Sequence, residues 1–152
     1  MRKLALMAGS IVALCAACTG GKVYDSYNHT PIAGWEKTDT LAFNVPRLAE
    51  GGLYATDLGL RINNAFPFLS LTLIVEQTVF PSMQHRADTL NCRLMDAKGN
   101  ARGQGVSYYQ YHFRVSERVL QPGDSLHITV RHDMKREIMP GISDVGIALT
   151  RK

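Results

Sequence analysis

Cysteine is scarce, with three in 152 residues. Cys15 and Cys18 close an N-terminal apolar run, which leaves Cys92 alone in the body of the chain and without a partner for an internal disulfide. The one Cys-x-x-Cys spacing, Cys15 to Cys18, lies in that N-terminal run, and the body of the chain with its single cysteine has none, so zinc ribbons and dithiol redox centres are excluded there. Like charges never gather in a block of five or six, which removes both a nucleic-acid-binding tail and a polybasic membrane patch. Histidine is present but dispersed: His29, His85, His112, His127 and His132 form no His-x-x-x-His or His-x-x-Glu-His pair. His127 and His132 would also face opposite sides of one strand.

The motifs of hydrolytic chemistry are missing too. Gly105-Val106-Ser107 lacks the second glycine of a nucleophile elbow and the strand-turn-helix setting that elbow needs. The sequential pair His132-Asp133 has the wrong geometry for a carboxylate to orient its neighbour's imidazole, and reads as the wet end of a strand. Asp57, Asp88, Asp96, Asp124 and Asp144 fall mainly where turns are expected, and a carboxylate pair for glycoside cleavage is a spatial matter that spacing does not reveal. No glycine-rich phosphate loop occurs. No catalytic residue, metal ligand or cofactor is therefore expected.

What the chain does have begins at its N-terminus. Arg2 and Lys3 precede an almost wholly apolar segment over residues 4–14, followed by the small pair Ala16-Ala17, which is the anatomy of a cleaved secretory leader. The apolar run is about 15 residues, short of the roughly 20 that span a bilayer. The sequence Leu14-Cys15-Ala16-Ala17-Cys18 resembles the bacterial lipobox, in which the cysteine after the cut takes a diacylglycerol on sulfur and usually an acyl chain such as palmitate on its exposed amine. Cys18 is the expected lipidation site, because Cys15 would place bulky Leu14 directly before the cut. Two or three acyl chains, each gaining about 0.8 kcal/mol per buried methylene, hold a protein on a membrane far more firmly than one. The expected organisation is a signal peptide over residues 1–17, the lipidated cysteine and a short spacer over 18–22, and one domain over 23–152.

Loss of the leader leaves 135 of the 152 residues, enough for a single well-filled core. It also lowers the basic residues from 17 to 15 against 13 acidic ones, a formal balance of +2. Along this domain the apolar period is two. It is seen in Leu41, Phe43 and Val45; Leu58, Leu60 and Ile62; Leu69, Leu71, Leu73 and Val75; Leu90, Cys92 and Leu94; Tyr109, Tyr111, Phe113 and Val115; Leu126, Ile128 and Val130; and Val145, Ile147 and Leu149. Turn chemistry separates these runs at Gly51-Gly52, Asn63-Asn64, Lys98-Gly99-Asn100, Gln121-Pro122-Gly123-Asp124 and Pro140-Gly141. The expectation is an all-β antiparallel sandwich, jelly-roll-like, of about seven or eight strands. Residues 23–35 are too irregularly spaced for a helix, are interrupted by Pro31 and Gly34, and read as an N-terminal arm packed across the domain. A helical turn or two is conceivable only over residues 101–110 or 133–138.

Cys92, sharing a strand face with Leu90 and Leu94, reads as a small buried hydrophobe, the alternative being a reactive thiol. Two stretches are candidates for contact with a partner. In Tyr108-Tyr109-Gln110-Tyr111-His112-Phe113-Arg114 the odd-numbered aromatics suit a core, while Tyr108, His112 and Arg114 suit either a plain polar outer face or an interface anchored by an aromatic and an arginine. Met134 and Arg136 lie in a mixed segment running to Gly141, either a contact surface or a connection packed over the end of the sandwich.

Several pieces taken in order and spacing make the chain similar to the GldH family of gliding-motility lipoproteins of Bacteroidetes, over essentially its whole mature length. They are Val23-Tyr24-Asp25-Ser26-Tyr27, Trp35, Asp39-Thr40, Arg61-Ile62-Asn63-Asn64 with Phe66-Pro67-Phe68, Asp88-Thr89-Leu90, Asp96-Ala97-Lys98-Gly99 with Gly103-Gln104-Gly105, and the ending Met139-Pro140-Gly141-Ile142-Ser143-Asp144-Val145-Gly146. The resemblance implies a non-enzymatic, lipid-anchored envelope protein that serves gliding and the associated type IX secretion machinery. It carries over a role for Cys18 alone. The implied partners are the membrane, through the lipid, and other envelope proteins of that apparatus; neither nucleic acid nor a small-molecule ligand is expected. Thr19-Gly20-Gly21-Lys22 lacks the acidic cluster that resembles a surface-export signal, so the expected address is the periplasmic face of the outer membrane. A different class, a carbohydrate-binding envelope lipoprotein with Tyr108 in the sugar site, is the alternative.

Overall fold

The computed structural model describes residues 21–103 and 105–152, so Cys18 and the leader lie outside the described residues. Ten strands follow one another: β1 (Gly21–His29), β2 (Trp35–Glu36), β3 (Leu41–Val45), β4 (Gly52–Asn63), β5 (Ser70–Phe80), β6 (Gln84–Arg93), β7 (Tyr108–Leu120), β8 (Ser125–His132), β9 (Ile138–Met139) and β10 (Ile142–Arg151). Eight of them build two antiparallel four-stranded sheets, ordered β1-β10-β4-β7 and β3-β8-β5-β6. The pairings are nested, with β5 on β6, β4 on β7, β3 on β8 and β1 on β10. A long folded ribbon of this kind, rolled until β10 also lies on β4 and β8 on β5, is a jelly roll.

The alternating apolar residues point between the sheets. Leu58, Leu60 and Ile62 of β4, Leu71, Leu73 and Val75 of β5, Ile128 and Val130 of β8, and Val145, Ile147 and Leu149 of β10 are all fully enclosed. Each such side chain contributes roughly 1.5–3 kcal/mol on burial, which is why the two-residue period fixes strand register. A polar seam interrupts the core: Gln77 donates to Ser116 at 3.0 Å, and the Thr56 hydroxyl lies 3.4 Å from its carbonyl oxygen. Beyond the seam sits Arg118, within electrostatic reach of Arg86, Asp88 and Asp124, with a buried Nη1 that has no hydrogen-bond partner.

Residues 21–29 correct one expectation. The segment read as an irregular arm, with Gly21 and Lys22 assigned to the spacer, is the edge strand β1, paired with β10 from Gly21↔Arg151 to His29↔Asp144. Its inward positions include the polar Ser26 and Asn28, and a bulge between Lys22 and Tyr24 shifts the register, so the alternation that marks other strands is absent. The possible helical turns at 101–110 and 133–138 are a loop running into β7 and a loop running into β9, and no helix occurs among the described residues.

Strand directions divide the connections between two ends of the sandwich. At one end lie the start of β1, the end of β10 and the short links of residues 46–51, 81–83 and 121–124. We call this the turn end. Gln121-Pro122-Gly123-Asp124 forms a tight turn closed by Asp124 N–H donating to the Gln121 carbonyl at 3.1 Å, with Gly123 at φ 85°, the conformation a type II turn demands of its third residue. At the other end lie the connections of residues 30–40, 64–69, 94–107 and 133–141, all but 64–69 longer than any at the turn end. Here β2 and β9 pair as a two-stranded patch, Trp35↔Met139 and Glu36↔Ile138, that lids the core. We call this the loop end.

Candidate interaction surface

The loop end is built from a rigid base upward. Trp35 and Met139 are fully buried, and the Trp35 indole N–H donates to the Asp39 carbonyl at 2.8 Å. His132 meets the Trp35 ring edge-on, with centroids 5.3 Å apart, and its Nε2 donates to the Trp35 carbonyl at 3.0 Å. His132 is therefore sealed inside rather than wetted at a strand end, and burial pushes its imidazole below the ordinary histidine pKa.

On this base stand exposed apolar side chains: Ile32, Ile138, Phe68, Leu69, Val106 and Tyr108. Ile32 projects wholly into solvent from a turn in which Gly34 N–H donates to the Pro31 carbonyl at 3.0 Å. Beside it a cavity of about 480 Å³ is lined by Pro31, Gly34, Glu36, Asp39 and Ile138. Backbone carbonyls and amides of these loops are tied internally, as in Lys37 N–H to Glu137 O at 2.7 Å and Asn63 N–H to Gly141 O at 2.8 Å. The apolar tips are thus presented on ordered backbone.

The outer face of the β1-β10-β4-β7 sheet is a second surface. Tyr27 lies across it over Gly146 and Gly59, whose missing side chains leave the ring its place; a methyl on Gly146 would sit 2.7 Å from the ring. Gln110 donates to the Tyr27 hydroxyl at 2.9 Å, and the Arg61 guanidinium stacks 4.2 Å from the ring centre. Together these contacts pin the edge strand β1 to the two strands beyond its neighbour. At the open side between β6 and β7, a cavity of about 490 Å³ is lined by Asn91, Arg93, Arg102, Gly103, Gln110, Tyr111, His112 and Phe113, none of them acidic.

The residues named from sequence fall in different places. Tyr108 opens β7 at the loop end, 61% exposed. His112 lies exposed on the outer sheet face opposite Gly59, at the rim of two cavities. Arg114 is engaged within that face: its Nε donates to Asp57 at 2.6 Å and its Nη1 to Glu117, and the Asp57 carboxylate holds its pKa above the usual guanidinium value. Met134 turns inward, packs against the core and takes a contact from the Thr72 amide at 3.3 Å through sulfur. Arg136 is exposed at the loop end. The structure therefore brings Tyr108 and Arg136 to one end, and sets His112 and Arg114 on a neighbouring face.

Ile32 and Val106 were not singled out, and Ile138 only as part of the mixed segment running to Gly141, because single exposed aliphatics within irregular segments carry no period. Cys92 is buried as expected, and burial raises its thiol to about 12. Of the five aspartates expected in turns, only Asp96 and Asp124 are there; Asp57, Asp88 and Asp144 stand on strands β4, β6 and β10. Asp144 is buried against His29 at the start of β10. Asp96 accepts from the amides of Lys98 and Asn100, both at 2.9 Å, and these bonds, Asn100's foremost, depress its pKa. Among the described residues, no group of three or more His, Cys, Asp or Glu is placed to hold a metal ion, and no helix is long and apolar enough to cross a membrane.

Two antiparallel sheets rolled in this way, with exposed apolar side chains on the loops of one end, define a jelly-roll β-sandwich module. The family model of the GldH lipoproteins matches residues 22–149, and the chain belongs to that family. The gliding motility lipoprotein GldH of Flavobacterium johnsoniae is 27% identical over 154 aligned positions, covering 91% of each chain. The chain is accordingly a membrane-anchored envelope lipoprotein of the gliding-motility class. Among solved structures, a family GH115 4-O-methyl-α-glucuronidase aligns over 84% of this chain and 17% of its own, at 13% identity and a TM-score of 0.48. A family 35 carbohydrate-binding module from Clostridium thermocellum covers 87% of this chain and 93% of its own, at 15% identity and a TM-score of 0.37. Neither likeness bears on function.

Proposed function

We propose that the chain is a non-catalytic lipoprotein of the outer membrane, held by acyl chains on Cys18 and facing the periplasm, whose loop end makes protein contacts in the gliding apparatus and its type IX secretion machinery. The observation that carries this reading is family membership across residues 22–149, joined to the lipobox directly before them. The apolar loop end supports the contact, since Ile32, Ile138 and Tyr108 are exposed aliphatic and aromatic side chains of the kind that anchor interfaces.

The test is genetic. A strain lacking the protein is expected to lose spreading motility and to show an altered profile of secreted proteins, and the wild-type gene should restore both. Cys18→Ser should fail to restore them and should leave the protein in the aqueous fraction. Normal motility and secretion in the deletion strain would overturn the reading.

A further inference from the structure

The direction of β1 decides which end of the module meets the membrane. Its first residue, Gly21, pairs with Arg151 at the turn end, and its last, His29, reaches the loop end. Three residue steps separate Gly21 from Cys18, at most roughly 10 Å of extended chain. The nine residues of β1 then carry the chain roughly 30 Å away. An anchor on Cys18 thus leaves the turn end within reach of the headgroups and holds the loop end clear of them.

The turn end is furnished for such a contact. Phe80 and Met83, at the β5–β6 link, are exposed, Met83 to 62%. Leu53 and Val119 face each other across β4 and β7 on the outer sheet face, and Val23 lies exposed near the start of β1. Arg47 is exposed. It lines both a cavity shared with Val23, Glu50 and Arg151 and one shared with Phe80, Pro81 and Asp124, so the surface is continuous from the chain's entry to the β5–β6 link, with Glu50 paired to Arg151. Apolar tips beside an exposed arginine suit a surface that is apolar within and anionic at its rim.

We propose that the turn end, led by Phe80, Met83 and Arg47, beds against the bilayer surface that holds the anchor and so fixes the module upright. The inference rests on the reading of Cys18 as lipidated and adds an orientation to it. The test uses the full lipoprotein, processed in its own cells, purified, and reconstituted in vesicles of phosphatidylethanolamine and phosphatidylglycerol that carry a headgroup-level quencher. Single environment-sensitive labels are placed on Met83→Cys and Ile32→Cys. Native Cys92 does not compete, because it is buried and its thiol stays protonated.

The label at 83 should be quenched at least about threefold more than the label at 32, as burial at headgroup depth requires. Adding Phe80→Asp and Arg47→Glu should abolish that difference while the protein still floats with the vesicles. Equal quenching at the two sites, on protein whose lipid is confirmed by mass spectrometry, would overturn the orientation and leave the anchor standing. An unmodified Cys18 would overturn both.

Discussion

Both ends of the sandwich expose apolar side chains, yet they are made differently. The turn end closes with short links, and its apolar residues Phe80 and Met83 ride on one of them. The loop end needs Trp35, His132 and Met139, all fully buried, to support Ile32 and Ile138 above them. A short turn is held by its own backbone bonds, whereas a long connection must be held by packing. In the proposed orientation the end with the deeper foundation is the one left to meet other proteins, because the anchor takes the other.

Breaking the foundation gives the largest effect. Trp35→Ala should cost about 3–5 kcal/mol in chemical denaturation, since it empties a fully enclosed site and orphans the Asp39 carbonyl. An effect below about 1 kcal/mol would show that the β2–β9 lid is not integral to the core.

A second effect sits at the same place and depends on pH. Burial lowers the His132 pKa from 6.5, so the unfolded chain binds the proton more readily than the fold. Stability is therefore fully present above about pH 6.5 and is lost as pH falls from there toward the lower folded value. His132→Gln should flatten the slope of unfolding free energy in that window, and an unchanged slope would remove His132 as its source.

Smaller effects sharpen the contrast. Tyr54→Phe, at the turn end, deletes the hydroxyl that donates to the Glu50 carbonyl at 2.5 Å and should cost about 1 kcal/mol by denaturation. The pair Ile32→Asp with Tyr108→Ala should change stability by less than about 0.5 kcal/mol, because both side chains are exposed. It should nevertheless fail to restore motility in a deletion strain. Restoration would move the contact surface elsewhere, for instance to the sheet face carrying His112.

How much of this was legible in sequence follows from where packing is periodic. Leu71, Leu73 and Val75, or Val145, Ile147 and Leu149, announce their strands because each alternates with residues that face away from the core. Strand β1 was hidden because an edge needs backbone pairing more than apolar side chains, so Ser26 and Asn28 can occupy its inward positions. His132 was read as wet from its polarity; only the fold supplies the Trp35 ring and carbonyl that enclose it. Asp57, Asp88 and Asp144 were assigned to turns by propensity, and only the fold supplies their strand settings: Arg114 across from Asp57, His29 across from Asp144, and Arg86 two residues before Asp88 on the same strand. The candidate site was half visible: Tyr108 and Arg136 were named, but the aliphatic tips beside them obey no period.

The account turns on the two ends having different neighbours in the living envelope. A photo-activated crosslinking residue at Ile32 and another at Met83, each in the full lipoprotein in its own cells, measure this directly. The predicted result is a discrete protein adduct from position 32 and lipid adducts alone from position 83. A protein adduct from position 83 together with none from position 32 would contradict it.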